Sequence, residues 1–336
     1  MIQTIDKGEA IRRMNFWGSE GEPFLFVIDF ELERPIVLKL DEVPPESLLY
    51  DINGKRNFQK RTPSPKPVFF EKHAMPQAQY HQAFQLVMNN LKAGNSYLAN
   101  LAFPTPVSTN LSLREAFFAS QARYRLWQDN QFVCFSPEPF VTIDRNGQIA
   151  SFPMKGTIDA ALPEAKQQLL NNPKETAEHA TIVDLIRNDL SMVAENVRVK
   201  RYRYIEEIET HQGGLLQSSS EIIGQLERGY EGRLGDIIFQ LLPAGSISGA
   251  PKRKTVEIIQ AAEGQARGYY TGICGIFDGK QLNSGVMIRF IEQTAEGMVF
   301  KSGGGITANS TEEEEYEEML RKAYLPFAFR PELAAR

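Results

Sequence analysis

Cysteine is almost missing from this chain: Cys134 and Cys274 are the only two in 336 residues. Two isolated cysteines give neither a disulfide framework nor a metal-ligand spacing. The four histidines, His73, His81, His179 and His211, form no zinc pattern. No run approaches the roughly 20 apolar residues of a membrane helix, so no membrane partner is expected. The opening residues, Met1-Ile2-Gln3-Thr4-Ile5-Asp6-Lys7, lack a basic stretch followed by an apolar core. A secretory signal is therefore not expected, and a cytoplasmic location is. An excess of positive charge is missing as well. The formal net charge of −5 gives no general reason to expect nucleic acid or an anionic membrane as partner.

What is present reads as an ordinary globular composition, 42% apolar and 24% charged, long enough for a large core. Residues 1 to about 60 read as mixed strand and loop, with strands at Pro23–Ile28 and Ile36–Leu40. The proline-rich stretch 61–67 suggests a boundary. This leaves a short N-terminal strand and loop region, 1–70, packing on a core domain, 75–330. The core domain opens with a helix over 77–93, its apolar face Tyr80, Phe84, Val87, Met88 and Leu91, ended by Gly94. A strand over 97–103 and a helix over 113–125 follow. Asn172 and Pro173 start a long helix to about Ala194. Strands are expected at 197–204, 270–277 and 286–292, with helices at 251–263 and 311–324. Ser310 with Glu313 matches a capping box at the start of the last helix. Strand and helix runs do not alternate regularly, which favours α+β over a doubly wound sheet.

One local signal carries chemistry. Two β-prone runs, 140–143 and 148–152, flank Asp144-Arg145-Asn146-Gly147, and Asn-Gly is a strong hairpin signal. A two-residue Asn146-Gly147 loop would set Glu138 opposite Lys155, Cβ atoms roughly 5 Å apart. Such a pair is an acid beside a nucleophile or base, or an ordinary cross-strand salt bridge. Pro137, Pro139 and Pro153 could equally end the ladder before the pair is reached.

Two helices carry Glu-x-x-Glu, Glu175/Glu178 and Glu315/Glu318, each on one helical face. Alone, each reads as a favourable first-turn charge. Together they suggest carboxylates from separate helices holding Mg²⁺, which takes oxygen ligands and commonly keeps waters and an anionic substrate. The small-residue loop 242–252 runs into a helix and could hold an anion on backbone N–H groups. Gly303-Gly304-Gly305 could do the same, or could be a tight turn. Arg289 interrupts an apolar strand and suits bidentate carboxylate binding, or a rim salt bridge.

Seven ordered segments closely resemble the chorismate-utilising enzymes, and among them the aminodeoxychorismate-forming branch. They are Ser136-Pro137-Glu138; Pro153-Met154-Lys155-Gly156-Thr157; Lys174 to His179; Asp184 to Asp189; Pro243 to Lys252; Gly268-Tyr269-Tyr270-Thr271-Gly272; and Gly303 to Lys322. The resemblance covers about residues 75–325. It implies two antiparallel β-sheets packed face to face, with helices outside and the site between. It implies Mg²⁺ on Glu178 and Glu318, with Glu175 and Glu315 in support. Tyr270, Arg289, Gly303, Gly304, Gly305 and Lys322 would bind the carboxylates of chorismate, with Thr157, Ser246 and Gly249 also at the substrate. Glu138 would protonate the leaving C4 hydroxyl. Lys155 would be the nucleophile at C2, where anthranilate-forming relatives usually carry alanine. Ammonia would come from a separate glutamine amidotransferase subunit, and the product would be 4-amino-4-deoxychorismate for para-aminobenzoate and folate synthesis. Leu98 stands where hydroxylating relatives place a water-activating lysine and amidotransferase-dependent ones usually a glutamine. Gln217 stands for a histidine common in the family. A Leu-Leu-Glu-Ser tryptophan motif is not evident, so no tryptophan feedback is expected.

Overall fold

The computed structural model describes residues 2–59, 67–210 and 213–326. Along the chain run α1 (Lys7–Ser19), β1 (Phe24–Ile28), β2 (Ile36–Lys39), β3 (Leu48–Ile52), β4 (Lys55–Arg56) and β5 (Phe70–Lys72). Next come α2 (Gln77–Lys92), β6 (Leu98–Thr109), α3 (Leu113–Ala119), β7 (Tyr124–Gln128), β8 (Phe132–Ser136), β9 (Pro139–Ile143), β10 (Gln148–Ser151) and β11 (Met154–Asp159). They are followed by α4 (Ala165–Asn171), α5 (Pro173–Ser191), β12 (Glu195–Thr210), β13 (Gly213–Gln225), α6 (Leu234–Gln240) and β14 (Gly249–Ala250). The chain closes with α7 (Lys252–Glu263), β15 (Ile273–Phe277), β16 (Leu282–Val286), β17 (Phe290–Thr294), β18 (Gly297–Ile306) and α8 (Glu312–Lys322).

Among the described residues these strands form two nine-stranded sheets. The first has the order β11-β13-β10-β9-β16-β15-β1-β2, with β12 on the other side of β13. The second has the order β14-β6-β18-β17-β8-β7-β3-β4, with β5 on β6. Every described pairing is antiparallel. The fold is therefore α+β, two antiparallel sheets with helices, as the sequence led us to expect.

The strand β1 shows why. All five residues are buried. Phe24, Phe26 and Ile28 join one core under α1, α5 and α6, while Leu25 and Val27 join the core between the sheets with Tyr124, Leu126, Cys134 and Phe290. A strand covered on both faces loses its alternating hydropathy. On the far side of the second sheet, α2, α7 and α8 pack on β6 and β18. The apolar face expected of α2 is buried in full, and Gly94 takes the positive φ of a helix terminator.

Several expectations need correction. Residues 1–60 contain a helix, α1, capped by Asp6; its core contacts are a narrow stripe of Ala10, Met14 and Gly18, too weak a pattern to read. These residues also supply strands to both sheets. The proline-rich stretch lies largely outside the described residues. The helix expected over 113–125 ends at Ala119, where Ser120 turns extended, and Tyr124 begins a strand. The strand expected at 286–292 is two strands, because Met287, Ile288 and Arg289 carry the chain from the first sheet to the second. Val286 to Ile288 and Phe290 to Ile291, on either side of Arg289, are apolar, so the crossing reads as one run in the sequence. The Ser310–Glu313 capping box does not form: Thr311 is the N-cap, and the Ser310 hydroxyl donates to Glu315 at 2.8 Å.

The 140–152 hairpin also forms in a different register. Ile149 pairs with Ile143 and Ala150 with Thr142, around a three-residue loop. The Asp144 carboxylate accepts from the N–H groups of Asn146 and Gln148, and Gly147 takes the positive φ. This is a type I turn followed by a left-handed residue, not a type I′ turn. A one-residue change of register turns side chains to the other face. The ladder also stops at Ser151, and β11 pairs with β13 instead. Glu138 and Lys155 are therefore not cross-strand partners, and the flanking prolines mark where the ladder ends.

The two sheets meet closely at Gly285, where an added Cβ would stand 2.4 Å from the Tyr124 ring. Gly285→Ala is expected to destabilise the protein by about 1–3 kcal/mol through overpacking. Urea denaturation read against wild type checks this; an unchanged midpoint refutes it.

Candidate active site

The expected site residues come from both sheets. Lys155 lies on β11 at the end of the first sheet, cross-strand from Ser218. Gly156 takes a positive φ, and the pairing shifts across it. The missing Cβ of Gly156 makes room for Glu175, whose Oε2 would stand 2.8 Å from it. On the opposite side, Gly303, Gly304 and Gly305 lie within β18, not in a turn. Their role is the space they leave. A Cβ on Gly304 would meet Glu315 Oε2 at 2.9 Å and Glu318 Oε1 at 3.8 Å. A Cβ on Gly305 would meet Leu98 Cδ1 at 3.1 Å and Lys155 Nζ at 3.3 Å. The glycine strand is thus a bare surface against which charged groups from three other elements gather.

Lys155 Nζ donates to Glu178 Oε2 at 3.3 Å. Lys322 Nζ is 2.7 Å from Glu318 Oε1 and also donates to the carbonyl of Gly303 at 2.9 Å, which docks α8 on the glycine strand. Lys174 of α5 and Glu314 of α8 approach to 3.8 Å, so the two helices that carry the Glu-x-x-Glu pairs converge. Asn172 caps α5 by accepting from Glu175 N–H, as its sequence suggested.

Four glutamates share three lysines, Lys155, Lys174 and Lys322, and the imbalance is visible in their acidity. Burial raises the pKa of Glu175, with a further rise from the Glu178 charge. Burial likewise raises Glu315, opposed by its hydrogen bond from Ser310 and reinforced by Glu318. Glu318 is also partly desolvated, but the charge and hydrogen bond of Lys322 outweigh this and lower it.

Glu138 sits between β8 and β9, partly buried, and its Oε1 accepts from Ser246 Oγ at 2.5 Å. Desolvation raises its pKa; the Ser246 bond and the charges of Lys155 and Lys322 oppose that rise. Glu138 and Lys155 therefore do share one site, although not by strand pairing. Tyr270 is buried beside them: burial raises its pKa, Arg267 opposes, and Glu263 and Glu138 add to the rise.

Other expected residues stand apart from this group. Thr157 is exposed and pairs with Gln217. Gly249 pairs with Ala99, closing β14 onto β6. Arg289 is not a strand residue but lies in the crossing between the sheets with φ 51°, its guanidinium 4.8 Å from the Tyr324 ring centroid. Among the described residues none of these three bonds to Lys155 or the four glutamates. Lys252 ties the 242–252 loop to α5, 2.9 Å from Asp189.

Two further groups were not assigned from sequence. His179, next to Glu178, is fully buried, with Nε2 2.7 Å from Ser220 Oγ; burial, Arg203 and Lys155 push it down to about 4. Arg267 and Glu263 form a buried ion pair at 2.6 Å. Their i,i+4 spacing was a signal, but Gly264 ends the helix between them and hides it.

Membership of a chorismate-using enzyme family is shown by sequence comparison. The chain belongs to the chorismate binding enzyme family, which it matches over residues 34–327. It is 55% identical over 316 residues to a Haemophilus influenzae protein named an uncharacterized PabA-like protein, covering 94% of this chain and 96% of that one. It is 31% identical over 261 residues to aminodeoxychorismate synthase component 1 of Bacillus subtilis, covering 73% of this chain and 54% of the relative. Its fold is similar to that of MenF, the menaquinone-specific isochorismate synthase of Escherichia coli, with a TM-score of 0.69 at 16% identity over 94% of this chain and 80% of that one. Among the described residues no helix is long and apolar enough to cross a membrane.

The raised carboxyls give a pH dependence. A carboxyl whose folded pKa is raised contributes stability that is complete below the ordinary carboxylate range and is lost as pH rises through the folded value. Glu315→Gln keeps the acceptor for Ser310 and removes that loss. We expect it to raise the thermal midpoint by a few degrees near neutral pH in metal-free buffer, with the gain shrinking toward pH ~4. Calorimetry at the two pH values checks this; destabilisation at neutral pH refutes it.

Proposed function

We propose that this chain is the chorismate-aminating component of an aminodeoxychorismate synthase, converting chorismate and ammonia to 4-amino-4-deoxychorismate for para-aminobenzoate and folate synthesis. The observation that carries this reading is the Lys155 amine, held by Glu178 against the side-chain-free face of Gly305 and beside Leu98. An amine is a nucleophile that can form a bond to a substrate carbon, and leucine offers no base to activate water beside it. The likeness to an aminodeoxychorismate synthase component 1 supports it further.

In this reading the neutral Lys155 amine attacks C2 of chorismate, both ring double bonds shift by one bond, and the C4 hydroxyl leaves. Glu138, whose raised pKa favours the protonated form, gives that hydroxyl its proton, so water departs. Ammonia then attacks C4, both double bonds shift back, Lys155 leaves as the neutral amine, and Glu138 recovers a proton from the incoming nitrogen. Tyr270, Gly303–Gly305 and Lys322 orient the substrate, with Arg289 at the rim. Both cysteines are fully buried, so neither is placed to act as a glutaminase nucleophile, and we assign ammonia supply to a separate amidotransferase subunit.

We assign Mg²⁺ to Glu178 and Glu318, with Glu175 and Glu315 beside them. Among the described residues no three His, Cys, Asp or Glu side chains form a ready metal cage. The donor chemistry fits nonetheless: the acids are all oxygen donors, they outnumber the nearby lysines, and Mg²⁺ commonly uses one or two carboxylates together with an anionic substrate. Bound there, the ion would anchor and neutralise a substrate carboxylate.

Incubation with chorismate, Mg²⁺ and an ammonium salt, with the product identified by mass and absorbance, tests the reading. Aminodeoxychorismate is expected; anthranilate or isochorismate sinks it. Glu138→Gln should slow turnover by roughly 10²–10⁴-fold. Lys155→Ala should abolish most amination, and full retention would remove Lys155 as nucleophile. For the metal, Mg²⁺ should raise the thermal midpoint of wild type but not of Glu178→Gln or Glu318→Gln; an equal rise in all three would place it elsewhere.

A further inference from the structure

The Arg267–Glu263 pair is out of place on energetic grounds. Both side chains are only 3% exposed. Burying an ion pair is weak evidence for stability, because desolvation can exceed the Coulombic gain. What the pair provides is direction. Arg267 Nε and Nη2 grip the Glu263 carboxylate in a fork at 2.9 Å and 2.6 Å. Nη1 then donates to the carbonyl of Ile247 at 3.0 Å and to Thr271 Oγ1 at 3.3 Å. Nη2 reaches the carbonyl of Asn100 at 2.8 Å, and Glu263 Oε1 accepts from the N–H of Ala102 at 2.9 Å. The ring of Phe30 lies 4.7 Å from the guanidinium and seals the other side.

Each of these contacts is one step from a group of the site. Ile247 follows Ser246, whose hydroxyl holds the Glu138 carboxyl. Thr271 follows Tyr270. Asn100 and Ala102 lie in β6 opposite Gly305 and Gly303. One planar cation thus ties together the turn that holds the acid, the loop that carries the tyrosine and the strand that backs the glycines. An arginine can do this because its five donors are fixed in one plane; a lysine ammonium cannot.

We propose that Arg267, oriented by Glu263, is a positioning residue that acts through Ser246 to fix the Glu138 carboxyl, and through Thr271 to fix Tyr270, against the glycine strand. The proposal rests on the reading of Glu138 as the acid of the reaction. Arg267 touches no substrate. Its effect is on where the proton donor stands when the bond breaks, and misplacement by about 1 Å can cost roughly 10²-fold.

A double-mutant cycle tests it. Arg267→Lys, Ser246→Ala and the double variant are made in the full chain, and kcat and chorismate Kd are measured with excess ammonium and Mg²⁺. We expect each single variant to lose at least about tenfold in kcat with Kd within about threefold. The double variant should be little slower than the worse single variant, because both act on one hydrogen bond. Losses that multiply would overturn the proposal, since a general loosening of the fold would act independently of Ser246. An unchanged kcat in Arg267→Lys would overturn it as well. If that variant does not fold, Thr271→Ala removes one of its acceptors without touching the charge; kcat equal to wild type there would refute the positioning role. Identifying the wild-type product separates the two readings: a product other than aminodeoxychorismate defeats the proposed function, while the cycle still reports on Arg267 from chorismate consumption.

Discussion

The structure is organised around an unfavourable concentration of negative charge. Glu175, Glu178, Glu315 and Glu318 gather around the glycine strand with Lys155 and Lys322 as the cations in contact, and burial raises two of the four acids. Left alone, such groups would repel one another into solvent. They stay because each is fixed to a helix that is itself fixed to a sheet: α5 on the first, α8 on the second. The fold holds an electrostatic arrangement that an added cation or proton would relieve further, which sets it apart from a patch of acids exposed to solvent.

The gathering needs both sheets. Lys155 comes from β11 in the first sheet, the glycines from β18 in the second, and Leu98 from β6 beside it. The helices supply the acids, and the buried Arg267–Glu263 pair links the turn of Ser246 to β6. The contacts of Gly285 with Tyr124 and of the cores between the sheets therefore bear on the site, although they lie far from it in sequence. Space matters as much as charge. At Gly156, Gly304 and Gly305 an added Cβ would stand within 3.3 Å of a charged atom, so the absence of a side chain is what admits the functional groups.

Two departures from the family pattern acquire positions. Leu98 is 4% exposed, with its Cδ1 at the face of Gly305 that the Lys155 amine also meets, so a hydrophobic group borders the amine. Gln217 lies next to Ser218, the cross-strand partner of Lys155, and is itself paired with Thr157. Both changes thus fall at the lysine.

By itself the sequence determined the class of fold, the long helix α5 with its Asn172 cap and the apolar face of α2, and it singled out the acids and Lys155 as candidates. These are local matters: caps, periodicity and ordered motifs are written within a few residues. The hairpin register was also local, yet it was misread, because the Asp144 carboxylate binds two backbone N–H groups and selects a three-residue loop. The sequence could not say that the packing of separate elements brings Glu138 within reach of the Lys155 charge, that the glycines lie in a strand, or that Arg289 marks a crossing between sheets. Nor could it distinguish Arg267 from any surface arginine, since its partners Asn100, Ile247 and Thr271 come from separate elements. Only the tertiary structure decides these, because burial and the absence of a Cβ have consequences only once a second sheet lies opposite.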